Sequence, residues 1–344
     1  MSVSRHILEQ YRHSALRAVT WLKNQLNQEG SYQLSTQELA CYYKSPYLFF
    51  LSGHGQESHR VLDFISRVFM QPNGDFSTSP EMKSANNAFI EYWSYMNGWI
   101  AIAAQKMGRF EVAYPAFHYL QSFYHPVHGG FTTQQAYGLG DNTVDIFTTA
   151  HLGLVSLYFG DLTRPSAAGN LLHRFLGLQP NLEKEFLLRI NNNGALISSF
   201  HRDHGLFYTV SFTEPNQAYF MLGYPIAFLG KLYDATGNEI FLQTAKECLD
   251  HLVACTGNLR TFHLSHKVAW GSAIIARITK ERRYMEFTQN IVEHLLSIQD
   301  QNGGWLQDQP IHMRFDQTAE IAIWLIEIAN ELSALAESNP EVEP

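Results

Sequence analysis

The chain has 344 residues, 45% hydrophobic and 16% charged, with a formal net charge of −8. That balance describes a folded protein with a large core and excludes an intrinsically disordered one. Lys and Arg are scattered singly, so no basic stripe can neutralise a run of phosphates, and nucleic acid is excluded as a partner.

Met1 to Gln10 is polar, and no stretch approaches the roughly 18 consecutive apolar residues that a membrane span requires. The expectation is a cytoplasmic protein without a membrane span. Cys41, Cys248 and Cys255 make an odd count, which argues against a disulfide framework and agrees with a reducing compartment.

In chain order one phrase recurs: an amphipathic helical run, a turn ending in an aromatic, and a helical run that is apolar nearly all round. Residues 5–28 lead through Gly30-Ser31-Tyr32 to 39–53, and 58–70 through Gly74-Asp75-Phe76 to 91–108. Residues 111–125 lead through Gly129-Gly130-Phe131 to 144–160, and 164–179 through Gly205-Leu206-Phe207 to 217–237. Residues 238–254 pass a degenerate turn near Asn258 to Phe262 before 266–281, and 282–299 pass Gly303-Gly304-Trp305 before 316–337.

A helix hydrophobic on every side must be buried, so the second helix of each pair belongs to an inner ring and the first to an outer ring. Six pairs predict an all-α fold, a closed (α/α)6 barrel or toroid of six helical hairpins. Closure lets one domain span 1–344, whereas an open solenoid would need polar caps at both ends. Pro180 to Asn216 interrupts the pattern. Its alternating stretches, Ala195 to Phe200 and Leu206 to Phe212, predict a β-hairpin-like insertion around 185–215 that serves as a lid.

The Gly-Gly-aromatic turns followed by Asp141-Asn142-Thr143 and Asp316-Gln317-Thr318 resemble repeats of the squalene–hopene cyclase and protein prenyltransferase toroids. The run from Gln299 to Trp305 is similar to the cyclases' Gln-Trp repeat. The cyclases' Asp-x-Asp-Asp acid and the prenyltransferases' Asp/Cys/His zinc set have no counterpart here. From His266 to Trp324 the order Lys267, Trp270, Trp305, His312, Arg314 resembles the tail of N-acylglucosamine 2-epimerase-type isomerases. That resemblance implies a catalytic role for His312, while Ser272 and Ala273 stand where the family carries a glutamate.

In a closed barrel the first turns of all inner helices meet at one mouth. N-caps are expected at Glu38, Asn87, Asp141, Asn216 and Asp316, whose side-chain oxygens can accept from freed backbone N–H groups. Four residues on, and so on the same helix face, come Tyr42, Glu91, Asp145, Phe220 and Glu320. Carboxylates that deep in apolar helices need either a raised pKa or a charged partner, which suits acid–base work. Glu91, Asp145 and Glu320 are therefore the catalytic candidates with His312, and Asp145 is the first choice for the proton donor or acceptor.

Candidate substrate contacts are Tyr42, Tyr43, Tyr95, Trp99, Tyr224, Trp270 and Trp305 on the aromatic inner ring and turns, with Asp141, Asp316 and His266 near the caps. His201, His204 and Tyr208 join them from the lid. The pairs His125/His128, His201/His204 and His263/His266 lack a known ligand signature, and no Gly-rich phosphate loop or nucleophile elbow occurs. The chemistry thus calls for neither metal nor cofactor. The expected activity is an acid–base rearrangement of a small molecule, by a cyclase or isomerase acting on a terpenoid or polyene-like substrate. A carbohydrate epimerase, lyase or glycoside hydrolase and a non-catalytic binding protein are the alternatives.

Overall fold

The computed structural model describes residues 3–79 and 81–336. The outer helices are α1 (Arg5–Asn24), α3 (Gly55–Phe69), α6 (Phe110–Gln121), α8 (Thr163–Leu178), α10 (Glu239–Val253) and α12 (Arg282–Ser297). The inner ring holds α2 (Ser45–Leu51), α5 (Tyr95–Lys106), α7 (Ile146–Tyr158), α9 (Phe220–Thr236), α11 (His266–Thr279) and α13 (Ile311–Ser333). Every predicted run falls on a helix of its ring, and α7, α9 and α11 are buried along most of their length.

Closure is written in contacts between the chain ends. The Val3 N–H donates to the Leu335 carbonyl at 2.9 Å, and Gln299 bonds Ser14 through both ends of its amide. Gly303, at φ 97°, lies so close to α1 that a Cβ would stand 2.5 Å from the Arg17 carbonyl oxygen. Gly30 and Gly74 meet α3 and α6 in the same manner. In the first three hairpins the turn glycine thus seats the next outer helix, and the sixth hairpin seats the first.

Three expectations are corrected. The first two inner runs are broken: a 3₁₀ turn at Leu39–Cys41 precedes α2, and α4 (Ala88–Glu91) precedes α5. Pro46 in the first turn of α2 disfavours helix just before it. The β-hairpin-like insertion is present as expected, but only one of its strands falls in a stretch predicted for it. β2 (Glu185–Leu187) pairs antiparallel with β4 (Thr209–Ser211), and β3 (Arg189–Ile190) pairs with β1 (Val144–Asp145). Gly194, at φ 83°, turns the chain so that Leu196 bridges Ile190.

The caps also move. Glu38 does accept from the Ala40 N–H and Asn87 precedes α4, but Asp141 holds a loop turn through the Thr143 N–H and Asn216 pairs with Asn258 across two loops. Pairing with β3 keeps Asp145 extended, so Asp145 itself caps α7. Pro310 starts α13 early, which carries Asp316 inside the helix.

His151 lies at the centre of the ring between Tyr95 and Tyr224. Its Nε2 faces the Tyr95 carbonyl at 2.9 Å, an acceptor only, so Nδ1 accepts from the Tyr224 hydroxyl at 2.8 Å. Burial draws the imidazole pKa from 6.5 down to about 3. Below pH 6.5 the unfolded chain takes a proton that the folded one refuses, so this stability is whole above pH 6.5 and is lost as pH falls toward 3. At pH 5 the loss is about 2 kcal/mol. Urea midpoints at pH 7 and pH 5 check it: His151→Gln, whatever it costs at pH 7, should flatten the fall, and an unchanged fall would exonerate His151.

Candidate active site

The inner helices all begin at one end of the ring, around a cavity of about 290 Å³. Seven aromatic side chains line it: Tyr43, Phe89, Tyr92, Tyr95, Phe147, Phe207 and Phe220. Lys44, His266, Lys267, Asp316, Gln317 and Glu320 add a charged and polar set, from the starts of α2 and α11 and the first three turns of α13.

Glu320 is the hub of that set. Its Oε1 accepts from Lys267 Nζ at 2.6 Å and from the Tyr95 hydroxyl at 3.0 Å. Its Oε2 accepts from Lys44 Nζ at 2.6 Å. Lys44 also reaches Asp316 Oδ1 at 2.7 Å, so one ammonium bridges two carboxylates four residues apart on one helix face. Gln317 Nε2 donates to Asp316 at 2.9 Å, which leaves its Oε1 buried without a hydrogen-bond partner among the described residues. The Tyr43 hydroxyl is likewise buried and unpartnered.

The titration behaviour follows from burial and shared charge. Burial alone would raise Glu320, but the ammoniums of Lys267 and Lys44, with His266, hold its carboxyl well below the usual range. Lys267 shares that carboxylate with Lys44, so Lys267 recovers only part of its lost hydration. Burial draws Lys267 from 10.5 down to about 8 even with Glu320 attracting it. Burial and the Lys267 charge also lower His266. Its Nδ1 donates to the His263 carbonyl at 2.7 Å, which leaves Nε2 as the ring's proton-exchanging nitrogen, 3.4 Å from Lys267 Nζ and 3.3 Å from Glu320 Oε2.

Close backbone approach sets the position of Lys267. A Cβ on Gly223 of α9 would stand 2.5 Å from the Lys267 carbonyl carbon and 2.4 Å from the Val268 nitrogen. No larger residue lets α11 approach α9 this closely.

Of the candidates named from sequence, Tyr43, Tyr95, His266, Asp316 and Glu320 line the cavity. Trp99, Tyr224 and Trp270 form a layer beneath it with Trp324, where Trp270 and Trp324 stack at 4.2 Å. Tyr42 instead closes the first turn, its hydroxyl accepting from the Tyr32 N–H at 2.8 Å. Trp305 anchors the last turn through Leu295. His312 is half-buried in the first turn of α13 and does not line the cavity. Asp141, His201 and His204 are exposed, and Tyr208 stacks on Phe200 under the Arg189 guanidinium. Leu206 and Phe207 are the insertion residues that reach the cavity, because the 3₁₀ turn at Arg202–Phe207 sends its polar side chains outward.

Glu91 and Asp145 flank Arg189 rather than the cavity. Arg189 is 1% exposed and lies 2.8 Å from Glu91 Oε2 and 3.7 Å from Asp145 Oδ2. Asp145 also accepts from the Thr148 N–H at 2.6 Å. Burial raises its pKa, with Arg189 opposing. Asp145→Asn keeps the capping acceptor and removes a charge facing a buried guanidinium that still has Glu91. The expected result is a loss of about 1–3 kcal/mol with near-normal turnover in the folded fraction, read from melting and rate on one preparation. A stable variant with turnover lowered a hundredfold would restore Asp145 to the chemistry.

Lys44 and Gln317 were not among the sequence candidates, and Lys267 entered only through a family resemblance. The signal was present: Lys44 and Lys267 are cations opening helices that are otherwise apolar, where an unpaired charge would be costly. Their partner carboxylates are 276 and 53 positions away, since Lys44 and Lys267 both meet Glu320. His125 and His128 stack at 4.3 Å beside Asn192. Among the described residues no group of three His, Cys, Asp or Glu side chains is placed to hold a metal, and no helix is long and apolar enough to cross a membrane.

No protein-family model matches the chain, and no curated protein sequence does. Solved structures do. A D-mannose isomerase superposes with a TM-score of 0.71 at 10% identity, covering 96% of this chain and 98% of that one. A GH76A alpha-1,6-mannanase from Salegentibacter sp. HEL1_6 superposes at 0.61 with 13% identity, over 94% and 99% of the two chains. The fold is an (α/α)6 toroid. A type II terpene cyclase from Scytonema also matches, at 0.56 and 14% identity over 96% and 100%, so the toroid joins the cyclase and isomerase resemblances of the sequence in one architecture. Identities this low speak to the fold and not to the reaction.

Proposed function

We propose that this toroid is a cofactor-independent isomerase of a small, polyhydroxylated carbonyl compound such as an aldose or ketose. The observation that carries the reading is the cavity's charged set: two buried ammoniums meet one carboxylate beside an imidazole whose Nε2 lies against Lys267 and Glu320. Lys44 and Lys267 donate to the carbonyl oxygen and its neighbouring hydroxyl, His266 takes and returns the carbon-bound proton, and aromatic walls stack on the carbon skeleton and exclude water. The unpartnered Gln317 Oε1 and Tyr43 hydroxyl are satisfied by substrate hydroxyls.

Protonating a polyene requires a carboxyl that keeps its proton, whereas Glu320 is held ionised and Asp145, whose pKa is raised, does not line the cavity. Asp316 and Glu320 share one helix face and one ammonium, so they do not flank a space for a glycosidic bond as a hydrolase pair must. The volume of about 290 Å³ sits at the small end of ligand pockets, about 300–1,000 Å³, and the similarity to a D-mannose isomerase over nearly the whole chain supports the same choice. The reading treats residues 1–344 as one catalytic domain.

The test is a panel of aldoses and ketoses from triose to hexose, D-mannose included, incubated with the protein in deuterated water. Deuterium at the carbon next to the carbonyl, with aldose–ketose or epimer interconversion, is expected. No exchange across the panel, with turnover of a polyene instead, would return the cyclase reading.

A further inference from the structure

We infer that Lys267 is a covalent catalyst, condensing with the substrate carbonyl to an imine; this rests on the isomerase reading above and deepens it. Lys267 Nζ, the nucleophile, lies 3.4 Å from His266 Nε2, the base, and His266 is oriented by the bond from its Nδ1 to the His263 carbonyl at 2.7 Å and by Glu320 Oε2, 3.3 Å from Nε2. Nucleophile, base and orienting group in series are the arrangement an activated amine needs.

The second lysine makes neutralisation possible. When Lys267 gives up a proton, Glu320 is not stranded, because Lys44 remains on it at 2.6 Å and on Asp316 at 2.7 Å. The proton moves to His266 inside the same cluster, so its net charge does not change. The two ammoniums already crowd one carboxylate, and burial favours the uncharged amine, in line with a Lys267 pKa of about 8. Phe220, 4.7 Å from Nζ, and Phe147, 5.7 Å away, keep the amine dry.

The step balances without any further reagent. The Lys267 ammonium passes one proton to His266, its lone pair forms the N–C bond, and the carbonyl π pair moves to oxygen to give a carbinolamine. His266 returns its proton to that oxygen, then takes a second proton from the nitrogen and passes it to the hydroxyl, so that the nitrogen lone pair expels water as the C–O bond breaks. The product is a protonated imine whose N–H donates to Glu320 where the ammonium did. It withdraws electrons from the neighbouring C–H more strongly than a hydrogen-bonded carbonyl does, which eases the isomerising proton transfer. Hydrolysis reverses the sequence.

The experiment treats the whole protein with dihydroxyacetone, and separately with D-mannose, and reduces with sodium borohydride before peptide mapping. A mass increment equal to the probe less one oxygen, confined to Lys267 and absent after prior denaturation, is expected. His266→Gln should slow trapping by about 10², and Lys267→Arg should abolish it. A label on Lys44, or spread over surface lysines, would overturn the assignment to Lys267. If the same preparation exchanges deuterium into sugars yet traps no label, the imine fails and the isomerase reading stands. If neither occurs, both fail. Should Lys267→Arg not fold, the labelled position in the unmodified chain still decides.

Discussion

Glu320→Gln is expected to lose about 3–5 kcal/mol of stability and essentially all turnover. The carboxylate is 2% exposed and receives both ammoniums, at 2.6 Å each, together with the Tyr95 hydroxyl. An amide of the same shape leaves Lys44 with Asp316 alone and Lys267 with no carboxylate, in a wall whose other faces are aromatic. Removing one partner of a buried pair costs the desolvation of the charge left behind, which is larger than the net worth of the pair. Adding Lys267→Met should recover much of the stability by deleting the stranded cation, without restoring turnover. Urea denaturation of the two single variants and the double variant gives the coupling directly. Additive losses would show that Lys267 is not charged against Glu320 in the resting protein.

Lys267→Arg should lower turnover by about 10² to 10⁴ with little change in folding. Arginine keeps a positive charge against Glu320 but does not lose its proton, so it can neither pass a proton to His266 nor act as an amine. The pH profile supplies the second half of the test. The proton that Lys267 passes to His266, and that His266 returns, must be present in the cluster, and it leaves as Lys267 deprotonates at about 8, so kcat/KM should hold level below about 8 and fall above it. His266 is lowered by burial and Glu320 is held far below neutrality, while burial pushes Tyr43 and Tyr95 well above 10; these neighbours do not produce the same limb. A flat profile from pH 6 to 9, or an Arg variant within a factor of a few of the parent, would remove Lys267 from the chemistry.

How far the site could be read in advance depended on where each helix begins. The four-residue step from cap to inner carboxylate works for Glu320, which lines the cavity with Asp316. It does not work for Asp145, because a strand pairing with Arg189 and Ile190 holds that residue extended and makes it the cap. It does not work for Glu91, which ends a four-residue helix and turns toward Arg189. One displaced helix start turns a side chain to another face, and cap residues alone do not reveal such displacements. His201 and His204 show the same limit in the insertion: its existence and its reach to the cavity were legible from composition and length, but Leu206 and Phe207, not the histidines, line the cavity.

The sequence by itself determined the ring. Apolar residues at helical spacing, one amphipathic and one all-apolar run per repeat, and a turn residue free to adopt positive φ are local properties. Burying twelve such runs leaves few arrangements other than two concentric layers closed on themselves. Only the tertiary structure decided the chemistry. The cluster that carries the proposed reaction joins Lys44 to Asp316 and Glu320 across 272 and 276 positions, and no periodicity encodes which first turn will face which. A buried lysine is compatible with a structural ion pair, a proton carrier or a nucleophile. Its partner's distance, the number of cations sharing that partner and the exclusion of water choose among these, and all three exist only once the ring has closed.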